Sequence, residues 1–127
     1  MGSERRSQPR RTEPLEADVV EDIADAIGDA RQLREIGSLF LDGLDRSREE
    51  LERGLACRDL ALLERVGHRL RGSSTTFGAL TLGGLGERLE DAAGAGHEAL
   101  AYALARGLLR EIPLAARELH GHLLGVR

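Results

Sequence analysis

The chain has almost no aromatic residues: tryptophan is absent, there are one Tyr and two Phe, and aromatics make up 2% of 127 residues. With 41% of the residues hydrophobic, a core must be built from Leu, Ala, Val and Ile, a set that suits packed helices better than a sandwich. The single cysteine, Cys57, excludes an internal disulfide framework and a cysteine metal cage. No apolar run approaches the roughly 20 residues of a membrane span. No apolar stretch follows the basic start as a signal peptide requires, so the expected location is cytoplasmic, with no membrane insertion. A basic excess is also missing. The net charge of -4 argues against nucleic acid as the main partner, because backbone phosphates call for a basic face.

What remains is a single-domain length with helical periodicity. Residues 1–14 are polar, carry Arg5, Arg6, Arg10 and Arg11, and show no hydrophobic period; they are expected to form a disordered basic tail. From Leu15 the pattern turns helical, with Val19, Val20, Ile23 and Ile27 on one side of a short helix that stops near Gly28. A second helix is expected from about Ala30 to Ala56, burying Leu33, Ile36, Gly37, Phe40, Leu44, Leu51 and Leu55. Cys57-Arg58-Asp59 makes a tight connection, with Asp59 as the N-cap of a third helix beginning at Leu60. Leu60, Leu63, Gly67, Leu70, Ser74 and Phe77 recur at steps of three and four and define its inward stripe. Gly72-Ser73-Ser74-Thr75-Thr76 would end this helix early on propensity alone. The apolar period runs through that stretch, so the helix is extended to about Phe77 and the turn placed at Gly78.

A fourth helix takes Leu82, Leu85, Leu89 and Ala92 inward and ends in Gly94-Ala95-Gly96. A fifth starts near Glu98 with Leu100, Leu104, Leu108, Ile112, Ala116, Leu119 and Leu123 inward, and Pro113 is expected to kink or split it. Short loops between amphipathic helices imply antiparallel neighbours. The expected fold over residues 15–127 is therefore all-α, an antiparallel up-and-down four-helix bundle with a short extra N-terminal helix.

The third helix carries the chemistry. At about 100° per residue, His68 lies roughly 140° from the centre of the inward stripe, with Glu64, Gly72 and Thr75 close to it in phase. A turn at Gly78 brings Glu90 of the fourth helix to nearly the level of His68. A carboxylate accepting the Nδ1 proton fixes the tautomer and leaves the Nε2 lone pair outward, which is what a nucleophilic imidazole needs. Arg71, one turn on, can neutralise a phosphoryl group. Gly72, with Gly83 and Gly86 on the facing helix, removes side chains around the ring and lets a partner approach.

These residues, His68-Arg69-Leu70-Arg71-Gly72-Ser73-Ser74 with Phe77-Gly78-Ala79, Leu82, Leu85 and Leu89-Glu90, resemble the pattern of histidine-containing phosphotransfer (HPt) domains. That pattern is a His, any residue, Leu, usually Lys, Gly and a small residue, then a Gly turn and a Leu-Glu pair. The resemblance runs from about Leu15 to the C-terminus. It implies a four-helix bundle whose exposed His carries a phosphoryl group between response-regulator receiver domains of a phosphorelay fed by a hybrid sensor histidine kinase. Carried over, His68 is the phosphoacceptor, Arg71 stands where the family usually has Lys, Gly72 belongs to the docking face, and Glu90 orients the imidazole. The implied docking set is Glu64, Gly72, Thr75, Gly83 and Gly86. Gly67 departs from the commoner Ala before the His, which is expected to loosen that turn.

No phosphate-cradling Gly loop with a Lys-Ser or Lys-Thr pair is present, so the chain is expected to be a carrier and not a kinase. It needs no cofactor of its own, the receiver supplying Mg²⁺. No metal is expected: His120 and His122 point apart on a helix, and the Glu-x-x-His pairs of a di-iron bundle are not found. The competing reading is an HPt-like adaptor that docks a receiver or kinase without carrying phosphate.

Overall fold

The computed structural model describes residues 30–76 and 79–125. The expected basic tail, the expected N-terminal helix, Phe77 and the turn at Gly78 lie outside the described residues, as do the side chains of Thr75 and Leu123. Four helices are described: α1 Ala30–Cys57, α2 Leu60–Thr76, α3 Leu80–Gly94 and α4 Glu98–Gly125. No strand occurs among the described residues. The helix over Gly72–Thr76 forms as the apolar period requires, against local propensity.

The connections follow from backbone chemistry. Arg58 takes φ 52°, its N–H bonds to Leu55 O at 3.4 Å, and Asp59 N–H bonds to Gly54 O at 2.9 Å, which closes α1 in a Schellman motif. Asp59 then turns from stop signal to start signal, because its Oδ1 accepts the N–H of Leu62 at 3.1 Å. The same closure ends α3. Gly96 has φ 76°, and its N–H and that of His97 bond back to Ala93 O and Ala92 O at 3.1 and 2.9 Å.

Turns this tight make α1 and α2, and α3 and α4, antiparallel neighbours. Glu64 lies against Gly94, Gly67 against Glu90 and Arg71 against Gly86, so α3 descends as α2 ascends. α1 packs on α2 and α4, and α3 packs on α2 and α4, which makes the bundle up-and-down. Its centre is almost wholly aliphatic: Leu33, Leu44, Leu51, Leu63, Val66, Leu70, Leu82, Leu89, Leu108 and Leu119 are fully buried. Each such side chain contributes about 1.5–3 kcal/mol relative to exposure.

Two expected core residues face water. Ile36 is 40% exposed and Leu100 46% exposed. On α1 the inward positions are Leu33, Gly37, Phe40, Leu44, Ser47 and Leu51, and Ile36 sits about 100° off the neighbouring Gly37. On α4 the small residues Ala101, Ala105 and Ala115 occupy the inward stripe with Leu104, Leu108, Ile112 and Leu119, which rotates Leu100 outward. Pro113 does not split α4, which runs unbroken from Glu98 to Gly125 with the proline exposed.

α2 and α3 meet through glycines. A Cβ at Gly67 would come 2.7 Å from Gly86 O and 2.8 Å from Glu90 N, and one at Gly86 would come 2.9 Å from Gly67 O. No side chain fits between the two backbones at this crossing. The expectation that Gly67 loosens its turn is therefore corrected: with Gly86 it leaves the room in which the backbones of α2 and α3 meet.

Candidate functional site

His68 and Glu90 are delivered to each other by that approach. Gly67 precedes the histidine, and a Cβ on it would run into the backbone of Glu90, so side chains leaving the two helices at this level meet beside the seam. His68 Nδ1 stands 2.8 Å from Glu90 Oε2. An ionised carboxylate can only accept, so Nδ1 is the donor in this hydrogen bond, and in the neutral ring that tautomer leaves the lone pair on Nε2. The imidazole is 64% exposed while the carboxylate is 21% exposed. The carboxylate is thus sheltered while the imidazole is open to solvent.

Arg71 approaches the same carboxylate from one turn further along α2. Its Nη1 lies 3.3 Å from Glu90 Oε1, an ion-pair distance, and Oε1 is a buried oxygen with no hydrogen-bond partner. The contact is therefore one of charge rather than of hydrogen-bond geometry. Arg69, although adjacent to the histidine in sequence, turns to the other side of α2. It donates to Ser47 Oγ at 3.1 Å and pairs with Glu50, tying α2 to α1. Sequence reasoning gave no role to Arg69, Glu50 or Ser47. The available signal was Ser47, a polar residue in phase with the apolar stripe of α1.

The expected docking residues separate into two groups. Glu64 and Gly72 are exposed on the side of α2 that bears His68, with Glu64 Oε2 lying over Gly94. A Cβ built at Gly72 would meet nothing within 4 Å, so packing does not demand glycine there. Thr75 is helical, and its side chain is outside the described residues. Gly83 and Gly86 are buried, which corrects their assignment to a docking face. At Gly86 the missing side chain makes room for α2, not for a partner.

The remaining titratable candidates do not gather. Cys57 is exposed, His97 sits in the α3–α4 connection with its carbonyl accepting from Ala101 N–H at 2.9 Å, and His120 is exposed on α4. Among the described residues no group of three or more His, Cys, Asp or Glu is placed to hold a metal ion. No described helix is long and apolar enough to cross a membrane.

The family model for the Hpt domain matches residues 35–119. The chain belongs to the Hpt domain family. The match takes in most of α1, all of α2 and α3, and α4 through Leu119, and the all-helical bundle agrees with it. Hpt domains act in phosphotransfer within two-component signalling, as carriers that interact with receiver domains and kinases. Comparison with curated proteins and with solved structures gave no match.

Proposed function

We propose that this Hpt domain carries a phosphoryl group on Nε2 of His68 between receiver domains of a phosphorelay. The observation that carries the reading is the 2.8 Å contact from His68 Nδ1 to Glu90 Oε2 on a ring that is open to water. Neutral imidazole attacks the phosphorus of a receiver's aspartyl phosphate through the Nε2 lone pair. The N–P bond forms, the acyl phosphate P–O bond breaks, and the aspartate leaves as its carboxylate. The Nδ1 proton stays in the hydrogen bond to Glu90, so the positive charge created on the ring is met by a carboxylate already in place. Mg²⁺ in this exchange belongs to the receiver. The reverse step, attack by a second receiver's aspartate, regenerates neutral His68.

In this reading Arg71, one turn along α2 from His68, neutralises the attached phosphoryl group, and the exposed Glu64 and Gly72 belong to the surface a receiver would cover. The test is incubation with a phosphorylated receiver, following an acid-labile, base-stable label on the wild type and on His68→Gln. Label on the wild type and none on the variant is the expected result. Receiver binding without label would favour an adaptor that docks and does not carry phosphate.

A further inference from the structure

A single carboxylate serves two side chains at this site. Glu90 Oε2 holds His68 Nδ1 at 2.8 Å, and Glu90 Oε1 lies 3.3 Å from Arg71 Nη1. The two oxygens belong to one rigid plane, so whatever fixes Oε1 also fixes Oε2. Oε1 is buried and receives no hydrogen bond, a costly state for a charged oxygen unless a cation lies near. The terminal torsion of a glutamate is broad and soft. Without a neighbouring positive charge the inexpensive relief is rotation of the carboxylate until Oε1 reaches water, and that rotation withdraws Oε2 from the imidazole.

We propose that Arg71 is a positioning residue in the resting protein, holding the plane of Glu90 and thereby the Nδ1–H tautomer of His68 before any phosphoryl group arrives. This deepens the phosphocarrier reading and rests on it for its purpose. It assigns Arg71 a task separate from neutralising phosphate, since it acts when no phosphate is present. The agent is the cation acting on Oε1, so a lysine at this place supplies it in part. The chain itself contains no lysine, all 18 of its Lys and Arg residues being arginines.

The experiment is long-range ¹H–¹⁵N correlation of the imidazoles in the full unphosphorylated chain, at a pH where the rings are neutral. The proteins compared are the wild type, Glu90→Ala, Arg71→Ala and Arg71→Lys. The wild type is expected to show His68 as the Nδ1–H form. Glu90→Ala should shift it toward the Nε2–H form that free imidazole side chains favour. Arg71→Ala should follow Glu90→Ala, while Arg71→Lys retains most of the Nδ1–H signal. His97, His120 and His122 report in the same spectrum, and their unchanged signals would show that the bundle is intact.

Arg71→Ala with the wild-type tautomer would overturn the inference, and so would an Arg71→Lys spectrum indistinguishable from that of Arg71→Ala. The readout needs neither a partner nor phosphate. Absence of label in the transfer assay would therefore remove the relay reading while leaving this result standing. Normal transfer with an unaltered tautomer in Arg71→Ala would remove only the positioning role.

Discussion

Gly67 and Gly86 face each other so closely that a Cβ on Gly67 would sit 2.7 Å from Gly86 O. This glycine contact sets the separation of α2 and α3 immediately before His68 and one turn before Glu90 along α3. The 2.8 Å hydrogen bond between those two residues thus depends on side chains that are missing.

Gly67→Ala should accordingly force the backbones apart at the crossing. The atoms in the way are main-chain atoms that cannot swing aside, and overpacking of this kind costs about 1–3 kcal/mol. Urea unfolding should report a lower midpoint. The His68–Glu90 hydrogen bond should weaken in the same variant, seen as a loss of the Nδ1–H imidazole signal.

Gly72→Ala should behave in the opposite way. A Cβ there enters open space, and alanine in a helix interior is favoured over glycine by roughly 0.5–1 kcal/mol. The thermal midpoint is expected to rise while phosphotransfer from a receiver slows, a combination that no folding defect explains. Unchanged transfer would remove Gly72 from the docking surface.

Glu90→Ala should slow transfer by about tenfold or more, equivalent to roughly 1.4 kcal/mol of lost transition-state stabilisation. Stability should stay within about 1 kcal/mol of wild type, the usual range for residues outside the core. Stopped-flow transfer kinetics set beside denaturant unfolding would separate the two quantities. Equal rates in variant and wild type would count against an orienting role for the carboxylate.

Arg58→Gly should stabilise the bundle. Arg58 holds φ 52° at the end of α1, a conformation that costs a side-chain-bearing residue about 1–2 kcal/mol and glycine little. Part of that gain is returned through the greater freedom of glycine in the unfolded chain. A net increase of about 0.5–1 kcal/mol by urea unfolding is expected.

Ser74→Ala should be neutral or stabilising. The Ser74 hydroxyl is fully buried and has no hydrogen-bond partner, so its removal deletes an uncompensated polar group worth about 1 kcal/mol or more. A fall in the thermal midpoint on this substitution would show that the hydroxyl has a stabilising contact.

Much of the bundle was legible from spacing. Leu63, Gly67, Leu70 and Ser74 fall on the inward face of α2 as their steps of three and four require, and Asp59 caps α2 as its side chain allows. The level match of His68 and Glu90 follows from counting residues on either side of one turn. Ile36 and Leu100 were misplaced because apolarity was taken as the sign of burial. On α4 the close-packed positions are filled by alanines, which a hydrophobicity pattern weights less than leucine.

The sequence by itself determined the four described helices, the Asp59 cap, their antiparallel order and the exposed placement of His68, because these depend on local hydrogen bonding and on a period of 3.6 residues. Only the tertiary structure decided what the glycines are for. Gly72 and Gly86 look alike in the chain, yet one opens to solvent and the other lies against α2. It also decided that Arg69 turns to Glu50 and Arg71 to Glu90. Two arginines of equal charge are distinguished by which neighbouring helix each one faces, and that is set by how closely the backbones pack.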